Sequence, residues 1–327
     1  MALAGRADGT FVSPTLPFTS LPPIDVFAVE DTVAQLSWRG LPAGSLTATV
    51  QHPSGPESVE LGDAALPGAA DVEGFAAGSS TPVDVVVNGR RVGQPVVETL
   101  EALPGPPSTR IATISDLHLG EEGFGLIKRM REPKGTEPYS LRCARAAVRE
   151  AQAWGAELLV IKGDITEFGM PHEWELFDEL LADIHIPILA IPGNHDTLMK
   201  RGSLDATAEL QRRSLFPAPI NSVEIGGVRV VTADSTVPGH SFGRLGRWTE
   251  HLTTAVDTDT PVLVFTHHHF EHTRWPRLWP LGVQQFDNDA LLRSMFEANP
   301  DLLISSGHTH RNRVRRHETG LLLSLIH

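Results

Sequence analysis

Five short segments of this 327-residue chain concentrate side chains able to bind a metal ion. In order they read Asp116-Leu117-His118, Gly163-Asp164, Gly193-Asn194-His195-Asp196, His267-His268-His269 and Gly307-His308-Thr309-His310. Carboxylate, imidazole and carboxamide oxygen form a mixed nitrogen–oxygen donor set without thiolate. That set suits manganese, iron or zinc better than calcium or magnesium. The segments lie at or just after the apolar runs 110–115, 158–162, 186–192, 262–266 and 302–306. A buried strand ending in a polar side chain, repeated five times, is how an open α/β sheet gathers its chemistry along one edge. The pattern points to a dinuclear metallohydrolase.

The segments differ in specificity. Asp116 and His118 are separated by one residue, and in an extended segment both side chains face the same way and can converge on one ion. Taken alone, the pair reads equally well as a turn aspartate and an incidental histidine. Gly163 lets the backbone turn sharply and delivers the Asp164 carboxylate to a strand tip, although Gly-Asp is also ordinary turn chemistry. Gly193-Asn194-His195-Asp196 is harder to explain as a turn: the Asn194 oxygen can ligate a cation while His195 faces the substrate. His308 and His310 repeat the alternation of Asp116 and His118. No packing argument demands His267, His268 and His269 in a row, and successive rings in a strand point opposite ways, so one ligand rather than three is expected there. His52 reads as an exposed loop residue, and His172, His185, His240, His251, His272, His317 and His327 as surface or structural.

The elements that must position these residues follow from periodicity. Residues 1–20 read as a loose arm. From 21 to 103 short β-rich runs alternate with Gly, Pro, Asp and Ser clusters, and Asn88-Gly89 is a hairpin turn signal; the expectation is a small antiparallel β-sandwich. Residues 104–109 form a Pro/Gly-rich linker. From 110 to 327 strands and helices alternate, with helices expected over 141–154, from Pro171 to Leu181, and near 204–213, 247–255 and 288–298. A hairpin turns at Gly226-Gly227. This predicts a layered α/β domain with a mixed sheet. The apolar tail 320–327 reads as one more strand or as an altered end that would expose a sheet edge.

The formal charge is −13, of which residues 1–108 carry −8. No basic stripe of the kind duplex nucleic acid requires is present, and small phosphorylated substrates fit the balance better. No apolar stretch is long enough to cross a bilayer. A cytoplasmic location is the expectation. The single cysteine, Cys143, excludes an intrachain disulfide and is expected to be at least half-buried in its helix.

The five segments resemble the calcineurin-like metallophosphoesterases, whose pattern is D-x-H, G-D, G-N-H-D or G-N-H-E, a lone His, and G-H-x-H. The resemblance covers about residues 110–316. It implies a layered α/β/β/α sandwich and two divalent or mixed-valence metal ions. Asp116, His118 and His310 would hold the first ion and Asn194, His267 and His308 the second, with Asp164 bridging; His268 remains a substitute for His267. It implies that His195 is catalytic and that Glu167 stands where relatives often have an Asp that orients this histidine. Tyr139, the only tyrosine, lies away from the position where purple acid phosphatases carry a Tyr ligand. The block spacing looks most like the bacterial branch of cyclic-nucleotide and glycerophosphodiester phosphodiesterases.

The implied reaction is hydrolysis of a small phosphodiester by in-line attack of a metal-bound hydroxide. A phosphomonoesterase, a nuclease and a non-catalytic metal-binding regulatory protein are the alternatives. The acidic balance disfavours the nuclease, and an intact His195 disfavours the non-catalytic protein. Loops 120–140, with Lys128, Arg129, Arg131 and Lys134, and 270–285, with Arg274, Trp275, Arg277 and Trp279, are candidates for substrate recognition.

Overall fold

The computed structural model describes residues 23–52, 55–65, 68–102, 109–121, 123–124, 130–131, 137–270, 281–310, 313–317 and 320–324. The expected arm at 1–20, most of the linker, the basic residues Lys128, Arg129 and Lys134, and the segment 271–280 lie outside them. The chain divides into two compact units, residues 1–106 and 107–327.

Among its described residues the first unit is all β. Its strands are β1 (Ile24–Val29), β2 (Val33–Trp38), β3 (Ser45–His52), β4 (Gly55–Asp63), β5 (Gly68–Glu73), β6 (Ser80–Val87), β7 (Arg90–Gly93) and β8 (Val96–Glu98). They pair antiparallel in two sheets, β1-β2-β5 and β4-β3-β6-β7, with β8 added to β6. Period-two alternation turns Ala34, Leu36 and Trp38 of β2, Leu46, Ala48 and Val50 of β3, and Val83, Val85 and Val87 of β6 into one core. Asn88 and Gly89 both have positive φ, 49° and 76°, as a two-residue hairpin matching strand twist requires. His52 closes β3 rather than sitting in a loop.

The second unit contains strands β9 (Ile111–Ile114), β10 (Gly123–Phe124), β11 (Met130–Arg131), β12 (Leu158–Lys162), β13 (Ile188–Ile191), β14 (Ile220–Ile225), β15 (Val228–Ala233), β16 (Val262–Thr266), β17 (Leu303–Ser306), β18 (Arg313–His317) and β19 (Gly320–Ser324). Its helices are α1 (Tyr139–Ala153), α2 (Pro171–Leu181), α3 (Ala206–Arg212), α4 (Thr249–Val256) and α5 (Gln285–Ala298). Pro171 opens α2, where its missing N–H costs nothing. The Glu173 carboxylate accepts from the Met170 N–H at 2.9 Å and the Phe168 N–H at 2.8 Å, closing that helix end. Asp205 caps α3 by accepting from the Ala208 N–H.

Two sheets and three cores give the layering. A parallel sheet β13-β12-β9 packs Leu159, Ile161 and Ile191 against Leu141 and Val148 of α1 and Trp174 and Phe177 of α2. A mixed sheet β14-β15-β16-β17-β19-β18 packs Val231, Val264 and Ile304 against Leu252 of α4 and Leu292 and Met295 of α5. Between the sheets lie Leu158, Val160, Val230 and Phe265. The order is therefore α/β/β/α. Along β12 the alternating side chains serve both cores, which is why the whole strand is buried.

The expectation for Cys143 changes, and of the two readings of the apolar tail the strand is the one found. Cys143 is exposed, because α1 turns Leu141, Ala144 and Val148 inward and residue 143 falls on the opposite side of that stripe. The apolar tail forms β19, which lies inside the sheet between β17 and β18, so the edge strand there is Arg-Val-Arg-Arg-His. Among the described residues no helix is long and apolar enough to cross a membrane.

Phe265, 3% exposed, is the largest side chain of the inter-sheet core. Phe265→Ala is expected to destabilise the second unit by about 3–5 kcal/mol, read as a lower denaturant midpoint in far-ultraviolet circular dichroism of the full chain.

Candidate metal centre

Five of the candidate ligands stand one to three residues beyond a strand end, and His118 and His310 stand four beyond. Asp116 follows β9, Asp164 follows β12, Asn194 follows β13, His267 follows β16 and His308 follows β17. The exits are stitched together. The Asp116 N–H donates to the Gly163 oxygen at 3.0 Å, the His118 N–H to the Asp164 oxygen at 2.9 Å, and the Gly307 N–H to the His267 oxygen at 3.1 Å. Asp196 accepts from the N–H groups of Gly193, Ile165 and Thr166 and from the Thr166 hydroxyl at 2.6–3.2 Å, tying the β12 exit to the β13 exit.

The backbone geometry differs from the expected extended segments. Asp116, His118, Asp164, His308 and His310 all have positive φ, between 45° and 67°. Among the described residues only Asn88, Met199 and Ser214 share this conformation without being glycine. Asp116 and His118 converge because two left-handed residues curl the chain, and His308 and His310 do likewise. Left-handed backbone costs about 1–2 kcal/mol per ordinary L-residue, and such strain concentrates where function over-determines the conformation. Gly163, at φ 86°, precedes Asp164 directly; a Cβ there would lie 2.7 Å from His267 Nδ1 and 2.8 Å from the Gly193 backbone.

Side chains assemble around Asp164, which is 1% exposed. Its Oδ2 lies 3.3 Å from His267 Nε2 and 3.9 Å from His118 Nε2, while its Oδ1 accepts the His195 N–H at 2.8 Å. On one side His310 Nε2 is 3.3 Å from Asp116 Oδ1 and 3.4 Å from His118 Nε2. On the other His267 Nε2 is 3.0 Å from Asn194 Oδ1, and the rings of His267 and His308 stand 5.0 Å apart. Donor atoms within 4.8 Å of one another include the sets Asp116–His118–His310, Asp116–Asp164–His267, His118–Asp164–His195 and His267–His268–His308. Nine residues singled out in the sequence, Asp116, His118, Asp164, Glu167, Asn194, His195, His267, His308 and His310, meet in this one region. His268 joins them: β16 ends at Thr266 and the chain bends at residues 267–268, so the alternation that would turn the second ring away does not apply.

Glu167 reaches further than a longer substitute for an orienting Asp. Its Oε2 contacts Nδ1 of both His118, at 2.9 Å, and His195, at 3.3 Å, and its backbone oxygen lies 3.0 Å from His195 Nδ1. Burial opposes ionisation of Glu167, but the hydrogen bonds from both imidazoles prevail and hold its pKa at about 2. Burial would likewise lower the pKa of His195, yet the Glu167 hydrogen bond and the charges of Asp164 and Glu167 raise it to about 9. His267, pulled down by burial, is raised to about 9 by Asp164 and Asp116. Asp164 is held well below its usual range despite burial, chiefly by the charge and hydrogen bond of His267.

Two features escaped the sequence reading. Lys162, fully buried, lies on the same face of β12 as Leu158 and Val160 and sends Nζ to Ser305 Oγ at 3.2 Å and the Ser306 oxygen at 3.4 Å. Burial lowers its pKa to about 8, against the opposing charge of Asp116, and its backbone oxygen lies 2.8 Å from His267 Nδ1. A lysine closing an apolar five-residue run was the available signal. Glu121 comes within reach of His118 and Glu167; nothing in its sequence context marked it.

The donor set fits a metal pair. The carboxylates draw protons onto buried imidazoles, a charge balance that divalent cations would take over. His308 Nε2 is buried without a hydrogen-bond partner, and burial with the charge of His267 lowers its pKa to about 4, leaving the neutral, ligating form.

Residues 109–312 match the calcineurin-like phosphoesterase family. The chain belongs to that family. It is 29% identical over 187 residues to the glycerophosphodiester phosphodiesterase GpdQ of Enterobacter lignolyticus, covering 52% of this chain and 61% of that protein. It is 28% identical over 206 residues to a probable cyclic nucleotide phosphodiesterase of Synechococcus sp., covering 62% and 73%. A solved dimetal phosphatase from Danio rerio superposes with a TM-score of 0.43 at 16% identity, covering 68% of this chain and 88% of that one.

In metal-free protein the His195 imidazole is expected to remain cationic at neutral pH and to titrate near 9 in histidine-detected NMR. The folded value lies above the unfolded one of about 6.5. Its stabilising contribution is therefore complete below about 6.5 and is lost as the pH rises through 9. Glu167→Gln is expected to bring the His195 titration down towards neutrality; an unchanged titration would detach Glu167 from this role.

Proposed function

We propose that this chain is a dinuclear-metal-dependent phosphodiesterase acting on a small diester of the cyclic-nucleotide or glycerophosphodiester kind. Residues 110–327 would form the catalytic domain, preceded by the linker 104–109 and the sandwich 21–103. The observation that carries the reading is the pair of donor sets sharing Asp164, beside a histidine held by Glu167. Asp116, His118 and His310 would hold one ion and Asn194, His267 and His308 the other, with Asp164 common to both. Mn, Fe or Zn suits this donor chemistry. When bound, the two ions would polarise the phosphoryl group and bring the pKa of a water near neutrality.

The protein's own groups supply the rest. Glu167 fixes Nδ1 of His118 and so turns its Nε2 towards the Asp164 side of the cluster. The same carboxylate fixes Nδ1 of His195, leaving Nε2 to face a substrate; the His195 side chain is 26% exposed, against 2% for Asp164. Protonated His195 can donate to the leaving alkoxide as the phosphorus–oxygen bond breaks. With two cations beside it, it would titrate below the metal-free value of about 9 and nearer neutrality.

Both relatives named above carry diesterase names, and the alignment takes in 61% of the Enterobacter protein's length. Diester over monoester preference rests on that likeness, and the acidic charge balance supports a small substrate over a polynucleotide.

Purified protein loaded with Mn, Fe or Zn is expected to hydrolyse bis-p-nitrophenyl phosphate and to prefer it to p-nitrophenyl phosphate. Cyclic nucleotides and glycerophosphodiesters in the same panel identify the substrate class. His195→Ala is expected to keep its metal content while kcat falls about 10²–10⁴-fold. Asp164→Ala is expected to lose bound metal together with activity. Preference for the monoester would overturn the diester assignment. A metal-loaded protein inert towards every ester, with His195→Ala indistinguishable from the parent, would overturn the mechanism.

A further inference from the structure

The second donor set contains one imidazole more than the assignment above uses. We propose that His268 Nε2 is itself a ligand of the second metal ion, alongside His267 and His308, so that this ion is held by three imidazoles. The inference rests on the dinuclear reading of the site and adds to it a residue, a coordination sphere and a metal preference.

Four observations converge on His268. The residue is fully buried, and its Nε2 is a buried nitrogen without a hydrogen-bond partner; an interior imidazole left so forfeits a hydrogen bond unless something else takes up the lone pair. A donor nitrogen from each of His267, His268 and His308 lies within 4.8 Å of the other two. The His268 ring stands 4.9 Å from that of His267 and 4.7 Å from that of His308. Its Nδ1 is 2.8 Å from Ser235 Oγ, which also accepts the His268 N–H at 3.1 Å. In the proposed state Nδ1–H donates to that hydroxyl oxygen and leaves Nε2 free to ligate. This is the support that ligating histidines usually have at their second nitrogen, and His267 has its own in the Lys162 oxygen, 2.8 Å from Nδ1.

The ring is also held from behind. Gly243 lies so close that a Cβ there would sit 2.6 Å from His268 Cγ and 2.8 Å from Nδ1. Ser235 stands two residues beyond β15, in a strand-end loop that none of the five metal-binding segments includes. A sixth strand end thus contributes to the site through His268.

The two sites become chemically unequal. The first would combine two imidazoles with carboxylates, and the second three imidazoles with the Asn194 oxygen and the shared Asp164. A sphere so rich in nitrogen favours zinc and its late transition-metal neighbours over magnesium or manganese.

The test uses the full chain. Long-range proton–nitrogen NMR of zinc-loaded protein is expected to show His268 Nε2 without a proton and at a metal-ligated nitrogen shift. Competition with a zinc chelator is expected to show the second zinc bound about 10–100-fold more weakly in Ser235→Ala and more weakly still in His268→Ala, with the first zinc unaffected. A zinc-loaded wild-type protein that hydrolyses diesters while His268 Nε2 keeps its proton would overturn this inference and leave the proposed function standing. Ligation by His268 without activity on any diester would do the reverse. A protein that binds no zinc, manganese or iron overturns both.

Discussion

A carboxylate buried to 1% exposure is tolerable only among partners that stabilise its charge, and Asp164 is the one at the centre of this cluster. An isolated buried charge carries a penalty of several kcal/mol. Around Asp164 the fold arranges the His195 N–H, the imidazoles of His267 and His118, and beyond them the Glu167 carboxylate that holds His118 and His195. Each partner comes from a different strand end. Meeting the electrostatic demand of one side chain therefore fixes the separation of the exits of β9, β12, β13 and β16. Hydrogen bonds such as those accepted by Asp196 hold that separation when the side chains titrate.

Strain follows from the same constraint. Five left-handed residues cluster at the site because a chain leaving a parallel strand must curl at once to bring its next side chains back over the sheet edge. Asp and His occupy these positions in this chain. Asp, Asn and His enter the left-handed region more readily than other non-glycine residues, so the chemistry the site needs and the backbone it needs are compatible. The sheets beneath absorb the cost through three apolar cores. Lys162 is the exception within them: its ammonium lies on the inter-sheet face of β12 and reaches the end of β17, bracing the segment that leads to His308 and His310.

The order of strands and helices, the hairpin at Asn88-Gly89 and the residues that gather in the cluster were legible because each rests on local pattern. Apolar runs mark strands, helical spacing marks α1 and α2, and His, Asp and Asn at strand ends mark an edge where chemistry collects. What the pattern concealed was three-dimensional. Period-two reasoning brought Asp116 and His118 to one ion by the wrong route, since neither residue is extended. The same reasoning turned His268 away from His267, because nothing in the sequence shows that β16 stops at Thr266. Glu167 was legible as a partner of His195 but not of His118, whose ring arrives from another strand. Ser235 and Gly243 carry no motif at all and matter only through the ring they enclose.

Those misreadings share a cause, which is that strand rules were extended one or two residues past the strand. Beyond the last ladder hydrogen bond the backbone is free to follow what the side chains require, and at this edge they require convergence. The candidate ligands stand just where periodicity stops applying, so the sequence marks their presence more reliably than their direction. Direction is set by partners distant in the chain: Asp164 accepting the His195 N–H, the Lys162 oxygen at His267 Nδ1, and Glu167 at the Nδ1 atoms of His118 and His195. In this chain the bend after β16 is what places the His268 ring beside those of His267 and His308.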